Sequence, residues 1–580
     1  MKRGIILFTI LFISLCQNSR IFSQNKQKLE GRAIWAVPAN AGKTEKSVKE
    51  FVLKCKKANI NIIVMLVKNT GGRIFWHSKK FHEAIDPNWK DFDMLKYLVD
   101  EAHKYGIRVH AWFCDFPEGK DSPAYKNYPE WAMLNPEGKT TTSEFLANGR
   151  PYYMVWMCPA RRPGYTDQWL IPMIEEVTRL YNIDGIHHDY VRYPGDVAPN
   201  DYCFCDYCLE NMLSYNHLHY ESMPDLFIKL NEVLPKKEAN WWSDNTAKPK
   251  NWNKMTRKEK ADFFRKGSYI KNGLKDMNYF FFEYRSDAIK RFIRESWEAV
   301  HKIRPDIEVS AAVFKNPQVG GRFIGQRWRD FAPWINIMMP MSYRSHFQGD
   351  FETFLKLLEE YSRYEVKWAK GLTHLYLGIT AHYIYREEYE PLNNIYNLLN
   401  KAKNKTYEKN WNKNIQRSYQ QIKKNLSNSA PSLEVKISSL VKKISEKDLT
   451  SVIPLLNEID TLRKNPPPGF YPGEKLKKAI EAVRRGGVEG VVIFAASHIE
   501  NKKLWSTLEE AFSEPSRPPD KALPIQTLQI EKISNDEKRI DKLEKMVYFF
   551  QITSIILAVL FLATIFISIK SFKRLKNVRK

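Results

Sequence analysis

Along residues 30–512, short and almost continuously apolar runs alternate with longer stretches whose apolar positions recur every three or four residues. The first pattern predicts strands buried on both faces; the second predicts helices with one buried face. Strands are predicted at residues 32–38, 60–67, 107–116, 184–192, 307–314, 335–343, 375–383 and 488–495. Helices are predicted at residues 45–58, 92–105, 167–181, 284–303, 475–485 and 504–512. The first of them carries Val48, Phe51, Val52 and Cys55 on one face, and Gly106 closes the second as a C-cap. Strands mostly followed by helices place the chain in the α/β class, as a (β/α)8 TIM barrel with two insertions. An open doubly wound sheet is the alternative, but no glycine-rich phosphate turn follows the first strand.

Two stretches break the rhythm. Residues 195–278 interrupt the unit after strand four, and residues 386–472 interrupt the unit after strand seven. Both leave from C-terminal strand ends, the face that carries barrel active sites. Residues 401–447 hold twelve cations against three anions, which predicts either helices over the barrel mouth or a partly disordered, solvated arm.

Composition narrows the picture. Of 580 residues, 43% are hydrophobic and 13% aromatic, enough for a large core. Global disorder, a collagen-like chain and a disulfide mini-protein are excluded. The net charge of +25 points to anionic surroundings without choosing among nucleic acid, acidic glycan and lipid head groups.

The ends carry membrane signals. Residues 1–23 begin with Lys2 and Arg3, continue apolar over 5–15 and finish polar, the layout of a secretory signal peptide. Cleavage is expected near Ser23, with an uncleaved anchor as the alternative. Residues 547–569 are free of charge, and 23 residues reach about 34 Å as a helix, enough to cross a bilayer. Lys570, Lys573, Arg574, Lys576, Arg579 and Lys580 follow, so residues 570–580 are expected to be a basic cytoplasmic tail. Residues 513–546 form the linker and stalk, either a short coiled coil through Ile533, Ile540, Leu543 and Val547 or a plain helical stem. The expected location is a cell membrane, single-pass, with the bulk of the chain extracytoplasmic. Export makes nucleic acid an unexpected partner and an anionic cell-wall or surface polymer a better one.

Chemistry is expected at strand ends. In 184–194 (DGIHHDYVRYP), alternation puts His187 and Asp189 on one strand face and Ile186 and His188 on the other. Asp189, near the C-terminal end, is expected to face the mouth, where a carboxylate can act as nucleophile or base toward an anomeric carbon. The alternative is an Asp189–Arg192 salt bridge bracing the rim. His187, Arg192, His110, Trp112, Tyr343 and His382 are candidate substrate-binding residues, since sugar sites combine rings with polar groups. The aromatic run 152–156 is a further candidate lining.

EGRAIWAVP, VHAWF, IDGIHHDYVRYP, PMSY and LGITAHY resemble the glycosyl-hydrolase-like family ten, a relative of the α-amylase-type barrels. The resemblance covers about residues 30–512 without the insertions. DGIHHD is similar to the amylase-type strand-four motif, whose last aspartate is the nucleophile. Carried over, that role falls to Asp189, with His187 standing where an arginine is usual. The resemblance implies hydrolysis of polysaccharide or peptidoglycan glycan strands. The chain departs from the amylase pattern at strand five, which ends through Ala311, Ala312, Val313 and Phe314 with no general-acid glutamate. Asp115 is the leading candidate for a second catalytic carboxyl group, with Glu118 beside it. A loop-capping aspartate is the other reading of Asp115. Retention and inversion both stay open.

Cys203, Cys205 and Cys208 form a C-x-C-x2-C cluster just after strand four. Three thiolates so close suit a structural zinc, with Cys158 or a histidine as fourth ligand; a disulfide with a spare thiol is the alternative. No cofactor is expected for catalysis. Two functions therefore compete: a membrane-anchored extracytoplasmic glycoside hydrolase, and a non-catalytic glycan-binding pseudoenzyme or scaffold gripping anionic polymer through its basic insertions.

Overall fold

A computed structural model of the chain describes residues 28–147, 149–198, 200–212, 251–265, 278–403, 410–426, 452–465 and 470–519, with a few isolated positions between 435 and 442. All belong to one compact unit, Met1–Lys521; a second unit, Ala522–Lys580, lies outside the described residues. The signal peptide, most of the stalk, the segment 547–569, the basic tail and parts of both insertions therefore fall outside them. Among the described residues no helix is long and apolar enough to cross a membrane.

Eight parallel strands close into a barrel. They are β1 (Gly31–Ala36), β2 (Ile62–Lys68), β3 (Arg108–Cys114), β4 (Gly185–Asp189), β5 (Glu308–Phe314), β6 (Ile337–Met341), β7 (His374–Thr380) and β8 (Gly490–Phe494). Each strand neighbours the next in the chain, and β8 closes on β1 with Val492 opposite Ala33. A helix follows each strand: α1 (Glu45–Lys57), α2 (Met94–His103), α3 (Ile171–Leu180), α4 (Asn278–Ile303), α5 (Pro317–Ile324), α6 (Phe351–Ala369), α7 (Gly473–Arg485) and α8 (Trp505–Ala511).

The apolar runs become strands because helices cover the outside and side chains fill the inside. All of β2 is buried. In α1, Thr44 caps the first turn, and the predicted Val48, Phe51, Val52 and Cys55 are the buried residues. Gly106 has φ +68 just past α2, where the left-handed turn is cheap only for glycine.

The barrel interior combines an apolar part with a polar ladder. Ala33, Val64, Ile337, Met339, Tyr376 and Val492 belong to one buried cluster. Opposite them, Glu308, His110, Ser310 and His187 rise in sequence from the bottom. His110 Nε2 lies 3.1 Å from Glu308 Oε2, and Ser310 Oγ lies 2.9 Å from both His110 Nδ1 and His187 Nδ1. Gly185 makes room for this ladder, because a Cβ there would sit 2.7 Å from the His110 ring.

The structure departs from the expected pattern in several places, among them α5 and α6, two helices that were not among those expected. β4 stops at Asp189 instead of running to 192, because Tyr190 turns to φ +53. The excursion between β3 and α3 contains an antiparallel pair, Pro117–Gly119 with Met154–Trp156, that the pattern did not predict. The described part of the second insertion is helical, at Arg386–Lys403, Trp411–Leu426 and Val452–Lys464.

Candidate active site

At the C-terminal strand ends the barrel opens into a hollow of about 330 Å³. Its walls are aromatic: Trp35 from β1, Trp112 from β3, Tyr190 after β4, Phe314 from β5, Tyr343 after β6 and Phe494 from β8. Asp189, Arg192, Asn69, Thr70 and His346 supply its polar groups. Asp189 is the sole carboxylate lining this hollow among the described residues.

Asp189 ends β4 opposite Cys114 of β3, so the pleat that turns Cys114 inward also turns Asp189 inward. Its Oδ2 accepts from Trp112 Nε1 at 3.2 Å and its Oδ1 from the Tyr190 amide at 2.7 Å. Only 9% of the residue is exposed. Burial pushes the carboxyl up to about 6, against the opposing pull of the Tyr190 amide, Arg192 and Trp112. Arg192 does not form the rim salt bridge with Asp189. Its Nη2 lies 3.6 Å from Asp196, and its guanidinium lies 5.0 Å from the ring centres of Trp156, Tyr190 and Phe314. The aromatic run 152–156 thus acts from behind, with Trp156 backing Arg192 and not lining the hollow.

Three of the other expected residues sit elsewhere. His187 shares the strand face of Asp189 but lies two residues deeper. Its Nε2 accepts from Trp35 Nε1 at 3.0 Å, which leaves the proton on Nδ1 toward Ser310. Burial, then the neighbouring His110 and His188, hold it neutral by lowering its pKa well below the ordinary value. His110 is deeper still, in the polar ladder. His382 lies beyond the end of β7 against the rings of Tyr383, Tyr389 and His498, outside the lining.

Asp115 requires a correction of place. It is fully buried and paired with His188 Nδ1 at 3.1 Å, on the helix side of the barrel. Since Cys114 points into the hollow, the next residue must point out of it. His188 in turn reaches Ser296 of α4 at 3.2 Å. Burial raises the Asp115 carboxyl, and His188 opposes that rise. Glu118 is likewise sealed, 3.0 Å from Lys68 Nζ and accepting from the Tyr165 hydroxyl at 2.6 Å. As expected, the end of β5 brings no acid: Ala312 and Phe314 are its lining residues.

Sequence reasoning missed Trp35, Tyr190, Phe314, His346 and Phe494 in the lining. Trp35 and Phe494 were legible in principle, as inward residues at the ends of β1 and β8. Cys203, Cys205 and Cys208 gather with Cys158, which supplies the fourth thiol; all four sulfurs lie within 4.8 Å of one another, and a metal ion can be held there.

Residues 30–391 match the family model described as Glycosyl hydrolase-like 10. A 226-residue stretch is 22% identical to the glycosyl hydrolase YngK of Bacillus subtilis, covering 34% of this chain and 38% of that protein. Another of 161 residues is 27% identical to the glycosyl hydrolase DigH of Escherichia coli K12, covering 24% and 33%. The chain thus spans well under half the length of either relative. The catalytic domain of a β-amylase from Paenibacillus polymyxa superposes with a TM-score of 0.45 at 10% identity, over 85% of this chain and all of that one, a likeness too slight to carry chemistry. With its family model matching over 30–391, this chain belongs to the Glycosyl hydrolase-like 10 family.

Proposed function

We propose that the chain is a glycoside hydrolase, held at a membrane by residues 547–569, that cleaves a cell-wall or surface glycan outside the cytoplasm. The observation that carries this reading is Asp189, the one carboxylate among the described residues presented to an aromatic-walled hollow at the barrel mouth. Aromatic faces suit the apolar faces of sugar rings, and the polar rim suits their hydroxyls. Both relatives are named glycosyl hydrolases, which supports the reaction class.

In this reading the ionised Asp189 faces the anomeric carbon, as nucleophile or as stabiliser of an oxocarbenium-like transition state. Trp112 and the Tyr190 amide fix the carboxylate's direction with one hydrogen bond each. His187 acts indirectly, by holding Trp35. The purified chain is expected to release reducing ends from isolated glycan strands, and the Asp189→Asn variant to release about 10³-fold fewer per unit time. Undiminished release by that variant removes the assignment.

A second reading is favoured by one observation: no second carboxylate lines the hollow among the described residues. A glycan-binding protein that grips an anionic polymer through basic insertions needs none. Its signature is binding without release of reducing ends, weakening steeply as salt rises. The membrane reading is tested by fractionation: the full chain is expected to stay with membranes after a high-salt wash, and its appearance in the wash contradicts the span.

A further inference from the structure

We propose that Cys158, Cys203, Cys205 and Cys208 bind one Zn²⁺ as four thiolates, and that this ion fastens the segment after β4 to the excursion after β3 that backs the hollow.

The geometry is that of a tetrahedral cage. A Zn–S bond of about 2.3 Å sets the edge of a sulfur tetrahedron at about 3.8 Å. The Cys158–Cys208 and Cys158–Cys205 sulfur separations are 3.5 Å and 4.0 Å, on either side of that edge. All four cysteines are buried and none is in a disulfide. Three of them come from one short loop: Cys205 is the N-cap residue of the helix Asp206–Asn211, and Cys208 follows within it. The Cys205 amide also donates to Cys203 Sγ at 3.4 Å, a backbone bond that favours the thiolate.

Charge supplies an independent argument. Four thiolates around Zn²⁺ carry a net charge of −2. Arg285 of α4 is 1% exposed, and none of its three side-chain nitrogens has a hydrogen-bond partner among the described residues. Its guanidinium lies 4.4 Å from the ring centre of Tyr193 and 4.8 Å from that of Phe281, and it interacts electrostatically with Cys203. A buried cation without an anion is costly, and a dianionic cluster beside it removes that cost. An all-sulfur donor set selects zinc over magnesium or calcium. Binding converts four thiols into thiolates and passes four protons to solvent.

The ion adds a tie to a packing that the Tyr202 hydroxyl already joins by donating to Glu144 at 2.9 Å. Phe204, inside the motif, stacks on Phe281 at 5.0 Å, and its amide donates to the Leu134 carbonyl at 2.7 Å. Cys158 lies two residues after Trp156, which backs Arg192 in the hollow's wall.

The test measures metal and sulfur chemistry on the full chain, so it does not depend on any hydrolase activity. Elemental analysis is expected to find one zinc per chain, with X-ray absorption giving a sulfur-only shell near about 2.3 Å. Cys158→Ala and Cys205→Ser are expected to lose the ion, and Cys55→Ala, buried elsewhere, to keep it. Should the two variants fail to fold, titrating the wild-type thiols with a mercurial is expected to release one zinc into a colorimetric chelator. Absent metal with two disulfides by mass spectrometry of unreduced protein overturns the proposal. So do iron in place of zinc, nitrogen or oxygen ligands, and full zinc retention by Cys158→Ala.

Discussion

Asp189 is held at a cost. Its carboxyl is pushed up to about 6 from an ordinary 3.8, chiefly by burial. The folded chain therefore holds that proton more tightly than the unfolded chain, and stability falls as pH rises between the two values and stays lower above them. At about 1.4 kcal/mol per unit, the penalty at neutral pH is on the order of 2–3 kcal/mol. Asp189→Asn stays neutral at every pH but keeps a single acceptor oxygen, so one of the two donors, Trp112 or the Tyr190 amide, loses its partner at a cost of about 1 kcal/mol, less than the penalty removed. It is expected to melt above the wild type at neutral pH, with the gain vanishing below the ordinary carboxylate range. A variant that melts lower at neutral pH contradicts the desolvation argument. At this scale the inward direction of Asp189, Trp112 and Tyr343 was legible in the sequence, because strand alternation near a C-terminal end reveals which way a side chain points; Arg192 reaches the hollow from the turn after Asp189, where alternation no longer applies. His110 and His187 show the limit of that signal: period two gives the face and not the depth, and both lie beneath the floor. Asp115 fell to the same rule applied one residue further on.

The elements around Asp189 are set by the ladder shared by β3, β4 and β5. Glu308 accepts from Arg108 at 3.0 Å and faces His110 at 3.1 Å, almost wholly buried. Removing its carboxylate leaves both partners without their acceptor. Glu308→Ala is expected to lower the unfolding free energy by about 3 kcal/mol in denaturant titration, and a loss below about 1 kcal/mol contradicts a structural role for the ladder. Higher up, His187→Leu frees the Trp35 indole N–H. That variant is expected to raise KM several-fold while kcat stays within about twofold, because Trp35 lines the hollow without facing the reacting bond. An equal fall in kcat, with KM unchanged, contradicts the positioning role. The barrel strands were legible because each is a continuous apolar run. The excursion between β3 and α3 was not, because its short paired strands, proline turns and aromatic cluster carry no sustained period.

The whole barrel closes where its first and last strands meet. Glu30 lies 2.7 Å from Arg32 and 2.6 Å from Arg484 of α7, and Arg32 reaches the carbonyls of Phe512 and Glu514. Burial works to raise the Glu30 carboxyl, but Arg484 and Arg32 outweigh it and hold it below the ordinary value of 4.5. A depressed carboxyl contributes stability above its unfolded pKa and loses it as pH falls through the folded one. Glu30→Gln is therefore expected to lower Tm at neutral pH, with the difference from wild type shrinking in acid below about pH 4.5. A difference that grows in acid contradicts the latch. The order of all eight strands was legible at this scale. The closing contacts were not, since they join residues more than 450 positions apart.

The central claim is that an ionised Asp189 faces the sugar, and the pH profile of glycan cleavage tests it most directly. The rate of reducing-end release, kcat/KM, is predicted to rise through about pH 6 as Asp189 ionises, and to sit at background at every pH in Asp189→Asn. A profile that is flat through that range, with the variant as active as the wild type, contradicts it.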